Sequence, residues 1–307
     1  MGDIYLDAPH SARERLERLY QGAIFVYSPT AAGRALCAFA RELAEAAFHP
    51  LSPETAQHDL PVERYAETLA ALKPQFIHHP RSKELCVALL AELGCDLDRT
   101  HFDVPRMRTA TSGGYLTTGI SYAFHPHRDT WYSAPPSQIN WWLPMFEFEP
   151  GAGMAFHPRY FSNGLKNSSR TYNYYEWNKA SRADAAKHIG VDTRQQPKPE
   201  EPVDGSGDVR LVCQVGGTIV FSGAQLHSTM PNDTGRTRFS IDFRTVDLDD
   251  AAGRRGARNV DSSCTGTSMR DFLSCRDLRP VPEEIAARYD AGPLPPDAIL
   301  VFKPPGT

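Results

Sequence analysis

The chain has 307 residues, 41% hydrophobic and 23% charged, which are the proportions of an ordinary globular protein able to bury a substantial core. Its formal net charge of −4 and its pI near 6.3 give no electrostatic reason for nucleic acid or an anionic membrane as partner. Disorder is not the default expectation for such a composition.

The chain opens Met1-Gly2-Asp3-Ile4-Tyr5-Leu6 with no basic region leading into an apolar one, and no apolar run approaches the roughly 18 residues of a membrane span. Helical spacing follows, with Leu16 and Leu19 in Ser11 to Tyr20 and Leu36, Phe39, Leu43 and Phe48 in Ala31 to Phe48. Val62 to Leu72 and Lys83 to Leu93 continue it, and Pro50, Pro53, Pro74 and Pro80 punctuate these helices. Six cysteines, Cys37, Cys86, Cys95, Cys213, Cys264 and Cys275, form no C-x-x-C pair, so free thiols and a cytoplasmic setting are expected.

From about residue 104 the texture changes to short segments, mostly rich in β-branched and aromatic residues: Met107 to Thr111, Tyr115 to Phe124, Gln138 to Phe148, Val209 to Val215, Thr218 to Phe221 and Thr237 to Val246. Gly113-Gly114, Pro135-Pro136, Gly216-Gly217 and Asn232-Asp233-Thr234-Gly235 separate them. Such strands predict a β sandwich or barrel, and no helices alternate with them as a parallel α/β fold requires. Ser168 to Gly190 reads as partly helical, Arg194 to Gly207 as loop, Ala251 to Gly266 as a mobile polar stretch that includes Arg254, Arg255 and Arg258, and Pro280 to Tyr289 as a last helix. The organisation expected is one structural domain: a helical region over 1–104 packing on a core over 105–250, an insertion at 159–208, and a C-terminal loop and helix over 251–307.

Residues two apart on a strand share a face, so His127 and Asp129 can grip one ion while Arg128 faces away. An isolated H-x-D usually means a salt bridge, and a third ligand must come from elsewhere. The glycine turn and apolar strand leading to His227 supply it. Two imidazoles and a carboxylate on one face of an octahedron leave adjacent positions open, which suits Fe(II) holding a co-substrate and O₂; the ligand types alone also permit zinc, manganese or nickel. Eleven residues beyond His227, Arg238-Phe239-Ser240 begins a strand. Alternation sets Arg238, Ser240 and Asp242 against Phe239, Ile241 and Phe243, and a guanidinium turned inward requires an anion such as a carboxylate. His125 and His157 compete as ligands. His78, His79, His101 and His188 are read as surface or capping residues.

The run His127-Arg128-Asp129-Thr130-Trp131-Tyr132 with Pro135, then Trp142-Leu143-Pro144-Met145, resembles the Fe(II)/2-oxoglutarate-dependent dioxygenases, and within them most the phytanoyl-CoA dioxygenase-like branch. The resemblance covers roughly residues 105 to 247. It implies a mainly β fold with flanking helices, a double-stranded β-helix or cupin-like jelly roll. It implies Fe(II) on His127, Asp129 and His227, with 2-oxoglutarate held by Arg238 and Ser240 near Trp142. The implied reaction consumes O₂, releases succinate and CO₂, and hydroxylates an unactivated C–H bond of a small organic molecule, specialised metabolites included. Asp129 stands where halogenating relatives have a small residue, which argues against halogenation. Gly153 to Arg159 departs from the Pro-Gly-Ser-His segment of many relatives, so substrate contacts there do not carry over. Tyr160, Phe161, Tyr172, Tyr174, Tyr175 and Trp177 are candidates for roofing a pocket or for packing the insertion, and Arg159, Arg170 and Arg254 for meeting a substrate carboxylate. Two rivals remain: a three-histidine cupin-type dioxygenase or isomerase without 2-oxoglutarate, and a non-catalytic jelly-roll binding protein.

Overall fold

The computed structural model describes residues 2–116, 125–180, 187–290 and 292–302, so most of the strand expected over Tyr115 to Phe124 lies outside the described residues. Helix α1 (Ala12–Tyr20) starts at Ser11, whose hydroxyl accepts from the Glu14 amide while the Glu14 carboxylate accepts from the Ser11 amide at 3.0 Å. Helix α2 (Ala31–Phe48) starts at Thr30, whose hydroxyl accepts from the Gly33 amide at 3.0 Å. Leu36, Phe39, Ala40, Ala44 and Phe48 recur three and four apart and form one buried stripe, each Leu or Phe contributing roughly 1.5–3 kcal/mol.

Helix α3 (Val62–His78) runs through Pro74, where the sequence suggests a break. Pro74 has no N–H for the Ala70 carbonyl. Leu69, Leu72 and Phe76 nevertheless share a buried face on both sides of it, and packing carries the helix across. His79 then ends α3 and caps α4 (Pro80–Glu92), its Nδ1 accepting from the Arg81 amide at 3.1 Å, with Pro80 at the first helical position.

The N-terminal region is not wholly helical. It contributes β1 (Ile4–Leu6) and β2 (Ile24–Tyr27), which run parallel to each other and join the main sheet through β8 (Thr218–Ser222). From β8 the sheet continues to β5 (Ile139–Pro144), β10 (Arg238–Asp247), β3 (Thr100–Phe102) and β11 (Leu273–Ser274), while β4 (Arg106–Ala110) pairs the first half of β10. A second sheet has the order β7 (Val209–Leu211), β6 (Met154–Phe156), β9 (His227–Thr229). Among the described residues, all strand pairs except β1 with β2 are antiparallel.

Alternation divides the main sheet as expected. Trp141 and Leu143 of β5 and Phe239, Ile241 and Phe243 of β10 join the core shared with α2, α3 and α4. Trp142, Ile219 and Phe221 point the other way and meet Met154 and Phe156 of the second sheet. Two stacked sheets with helices covering one of them are the jelly-roll arrangement; among the described residues they do not close into a barrel. The inward face of β10 therefore holds Arg238, Ser240, Asp242 and Arg244 between the sheets.

The stretch read as a mobile loop is tied down. Asp261 accepts from Arg128 Nε at 3.0 Å, Trp131 Nε1 at 2.7 Å and the Leu165 amide at 3.0 Å, and Ser262 Oγ donates to the Thr130 carbonyl at 2.6 Å. Helices α5 (Tyr174–Ala180), α6 (Leu248–Ala252) and α7 (Glu283–Ala286) complete the described elements, the last inside the expected Pro280 to Tyr289 segment. No described helix is long and apolar enough to cross a membrane, and all six cysteines are free.

Candidate metal centre

His127, Asp129 and His227 come together with one ligand atom each inside 4.8 Å of the others. His127 reaches the site by a single antiparallel bridge to His227, with both backbone N–H···O bonds made at 2.9 and 3.0 Å. Asp129 does not share a strand with it. Asp129 begins a 3-10 turn (Asp129–Tyr132), and its amide donates to the Gly223 carbonyl at 2.9 Å, so a turn rather than strand parity delivers the carboxylate. Arg128 faces away as expected, into a nest of carbonyls: Ala224 at 2.5 Å, Asn163 at 3.0 Å and Tyr160, besides Asp261.

The two imidazoles are fixed in the same manner. His127 Nδ1 lies 2.9 Å from the His125 carbonyl and His227 Nδ1 lies 3.0 Å from the Gln225 carbonyl. A carbonyl can only accept, so each Nδ1 carries the proton and each Nε2 presents its lone pair. The rings stand 4.3 Å apart between centroids, and His127 Nε2 is 3.7 Å from Asp129 Oδ1. Phe156 and Phe221 pack against the His227 ring at 6.4 and 4.9 Å. Burial, with the neighbouring His227, holds His127 well below the usual imidazole range; burial also lowers His227, against the pull of Asp129. Neutral imidazoles are what a metal ligand requires.

The other oxygen of Asp129, Oδ2, accepts from Gln138 Nε2 and Asn140 Nδ2, each at 2.8 Å, with Arg244 Nε 3.7 Å away. Sequence reasoning missed Gln138 and Asn140. Their signal was two carboxamides at alternate positions leading into an otherwise apolar strand. It also missed the charges around Arg244, which meets Asp103 at 3.1 Å and Asp242 at 3.5 Å, while Arg108 grips Asp242 with two nitrogens. Burial opposes the charge on Asp242, but Arg108 and Arg244 outweigh it and hold the carboxyl below its ordinary value.

Arg238 lies between the sheets, 7% exposed, with its guanidinium carbon 5.6 Å from the centre of the Trp142 ring. Its Nη1 donates to the Ala152 and Gly153 carbonyls at 2.7 and 3.2 Å, and Nε has no partner. No carboxylate pairs with it among the described residues, and burial alone pushes it down to about 10. Ser240 Oγ, two residues along the same face, is also buried and unpartnered. A cavity of about 250 Å³ opens beside Arg238, lined also by Phe148, Ala152, Thr234 and Thr237; it does not reach the three metal-ligand candidates.

The competing histidines are placed elsewhere. His125 Nε2 engages the Pro197 carbonyl at 2.7 Å, and His157 joins Asp208 at 2.7 Å and Ser228 at 3.2 Å. His101, read as a surface or capping residue, is instead buried on β3. The insertion does reach the site's edge, since Pro197 also accepts from Tyr132, whose ring stands edge-on to His127 at 5.7 Å. Of its aromatic residues, Tyr172, Tyr174 and Tyr175 are buried in one cluster with Trp177 at its edge, Tyr172 stands edge-on to Tyr132 at 5.4 Å, and Tyr160 packs beside Trp131. None of the three arginines considered for a substrate carboxylate faces the site: Arg159 pairs with Asp204, Arg170 with Glu200, and Arg254 lies over Tyr289.

No protein-family model matches the chain, and no curated protein does. Solved structures to which it is similar include EvdO2 from Micromonospora carbonacea var. aurantiaca, at 15% identity and a TM-score of 0.43 over 79% of this chain and 93% of that one. Against EvdO2 complexed with 2-oxoglutarate, also 15% identical, the TM-score is 0.34 over 59% of this chain, and the match spans 64% of that chain, just under two thirds of its length. The non-heme alpha ketoglutarate dependent epimerase SnoN from nogalamycin biosynthesis is 14% identical, with a TM-score of 0.37 over 77% of this chain and 84% of that one. Likeness at this level says nothing of substrate, and the functional reading rests on the residues described above.

Proposed function

We propose that the chain is an Fe(II)- and 2-oxoglutarate-dependent oxygenase that hydroxylates a C–H bond of a small organic molecule. The observation that carries this reading is the pair of groups on the inward face of β10 left incompletely satisfied among the described residues: a buried guanidinium without a carboxylate partner, and the Ser240 hydroxyl beside it. A buried cation and a buried hydroxyl left in this way are costly unless an anion completes them. The His127, Asp129 and His227 set fits a divalent metal by donor chemistry and suits Fe(II) with open positions.

Iron bound there would supply oxygen activation, using the electrons released when 2-oxoglutarate loses CO₂ and becomes succinate. The protein's share is positional. His127 and His227 offer Nε2 with the opposite nitrogen already committed, and Asp129 offers Oδ1. Arg238 would pair with the far carboxylate of 2-oxoglutarate, Ser240 would donate to it, and Trp142 would give its chain an apolar wall. The phenylalanines against His227 keep water from that side. The engagement of His125 by the Pro197 carbonyl and of His157 by Asp208 and Ser228 supports the carboxylate-containing ligand set over the three-histidine one. Free thiols support a reducing, cytoplasmic setting.

Anaerobic addition of Fe(II) and 2-oxoglutarate is expected to give the weak visible absorption of the chelate. Arg238→Ala should weaken 2-oxoglutarate binding by about 2–5 kcal/mol, roughly 30-fold to several thousandfold, with metal binding kept. Unchanged 2-oxoglutarate affinity in that variant would overturn the reading. Loss of metal from His125→Ala would instead favour the three-histidine alternative.

A further inference from the structure

Asp129 is held by a closed ring of side chains. Gln138 Nε2 donates to Asp129 Oδ2 at 2.8 Å and to Asn140 Oδ1 at 2.9 Å, and Asn140 Nδ2 donates to the same Oδ2 at 2.8 Å. The orientation of both carboxamides is dictated by this ring. Turning Gln138 over would set its oxygen against two acceptors, and turning Asn140 over would set oxygen against oxygen and nitrogen against nitrogen. Gln138, just before β5, is 3% exposed and Asn140, on β5 two residues ahead of Trp142 on the same face, is 6% exposed. Two carboxamides are tolerated so deep because each finds its partners here.

The consequence lies in which oxygen remains. Oδ2 is occupied by two donors with Arg244 behind it, and Oδ1 is the atom left facing His127 Nε2. A carboxylate free to rotate could bind a cation through both oxygens. Here one oxygen is taken before any cation arrives.

We propose that Gln138 and Asn140 are positioning residues that make Asp129 a one-oxygen ligand and fix it before the metal binds. The inference rests on the metal-site reading above and adds to it the residues that set denticity and affinity.

Mn(II) serves as the probe, titrated into the whole metal-free protein up to millimolar concentration and followed by electron paramagnetic resonance. Asn140→Leu and Gln138→Leu should each weaken Mn(II) binding 10- to 100-fold, the range for losing a group that orients a ligand. In an Asp129→Ala background, Asn140→Leu should change the affinity no further, whereas a merely structural role would lower it by the same factor in both backgrounds. Affinity equal to wild type in both single variants, or equal loss in both backgrounds, overturns the proposal. Should Asn140→Leu fail to unfold cooperatively, Gln138→Leu in the two backgrounds decides the matter by the same criterion. A wild-type protein that binds no Mn(II) would instead overturn the metal-site reading itself.

Discussion

Gly223 is the residue on which the ring around Asp129 turns. Its carbonyl accepts from the Asp129 and Thr130 amides at 2.9 and 3.3 Å, and its own amide donates to the Gln138 carbonyl at 2.9 Å. A Cβ there would lie 3.1 Å from Gln138 Nε2, the atom that donates to Asp129, and 3.5 Å from Asp129 Cβ. Glycine is needed for close approach, not for backbone conformation. Gly223→Ala should therefore displace the Gln138 amide and weaken Mn(II) binding several-fold in the same titration. Combined with Gln138→Leu it should add nothing, because the atom it displaces is already gone; an additive loss would show that Gly223 acts on the site by another route. At this scale the sequence revealed the candidate ligands and hid what orients them. A histidine or aspartate at a set spacing is conspicuous, whereas a carboxamide such as Asn140 has no spacing rule and gains its role only once β5 is laid beside the Asp129 turn.

Among elements, long strands were legible and most short ones were not, although β7 falls inside the expected Val209 to Val215 segment. Ten residues of β10 show their alternation because one face is buried under α2, α3 and α4 and the other lies between the sheets. With three residues each, β6 and β9 have too few side chains for a period of two to stand out, and β1 and β2 are recruited by pairing with β8. The segment following α6 was misjudged for a related reason: its main charged anchor, Asp261, is indistinguishable in sequence from a solvated aspartate. In the fold it joins the turn that carries Asp129 to the insertion, through Arg128, Trp131 and the Leu165 amide. Arg128 is 1% exposed, so removing its carboxylate partner strands a buried charge. Asp261→Ala should destabilise the protein by about 3–5 kcal/mol in chemical denaturation, far beyond a surface aspartate. A loss under 1 kcal/mol would mean that the carbonyls of Ala224, Asn163 and Tyr160 suffice for the guanidinium.

Over the whole molecule, burial of histidine sets the response to acid. His101, His125, His127 and His227 are all lowered from the ordinary imidazole value of 6.5, with burial the largest cause in each. Above that value these rings are neutral whether the chain is folded or unfolded. As pH falls below it the unfolded chain takes up protons that the folded chain resists, and stability declines. Carboxylates such as Asp242, held below their ordinary value of 3.8, add a further loss only in stronger acid. The metal-free protein should accordingly show a nearly constant melting temperature above about pH 7 and a decline that begins near pH 6.5. Replacing His101, which lies on β3 and outside the candidate metal centre, should make that first decline shallower in His101→Gln. A melting temperature unchanged from pH 7.5 down to 5 would contradict the burial argument. Saturating Mn(II) should move the decline to lower pH, because a cation held by neutral His127 and His227 competes directly with the protons that would charge them.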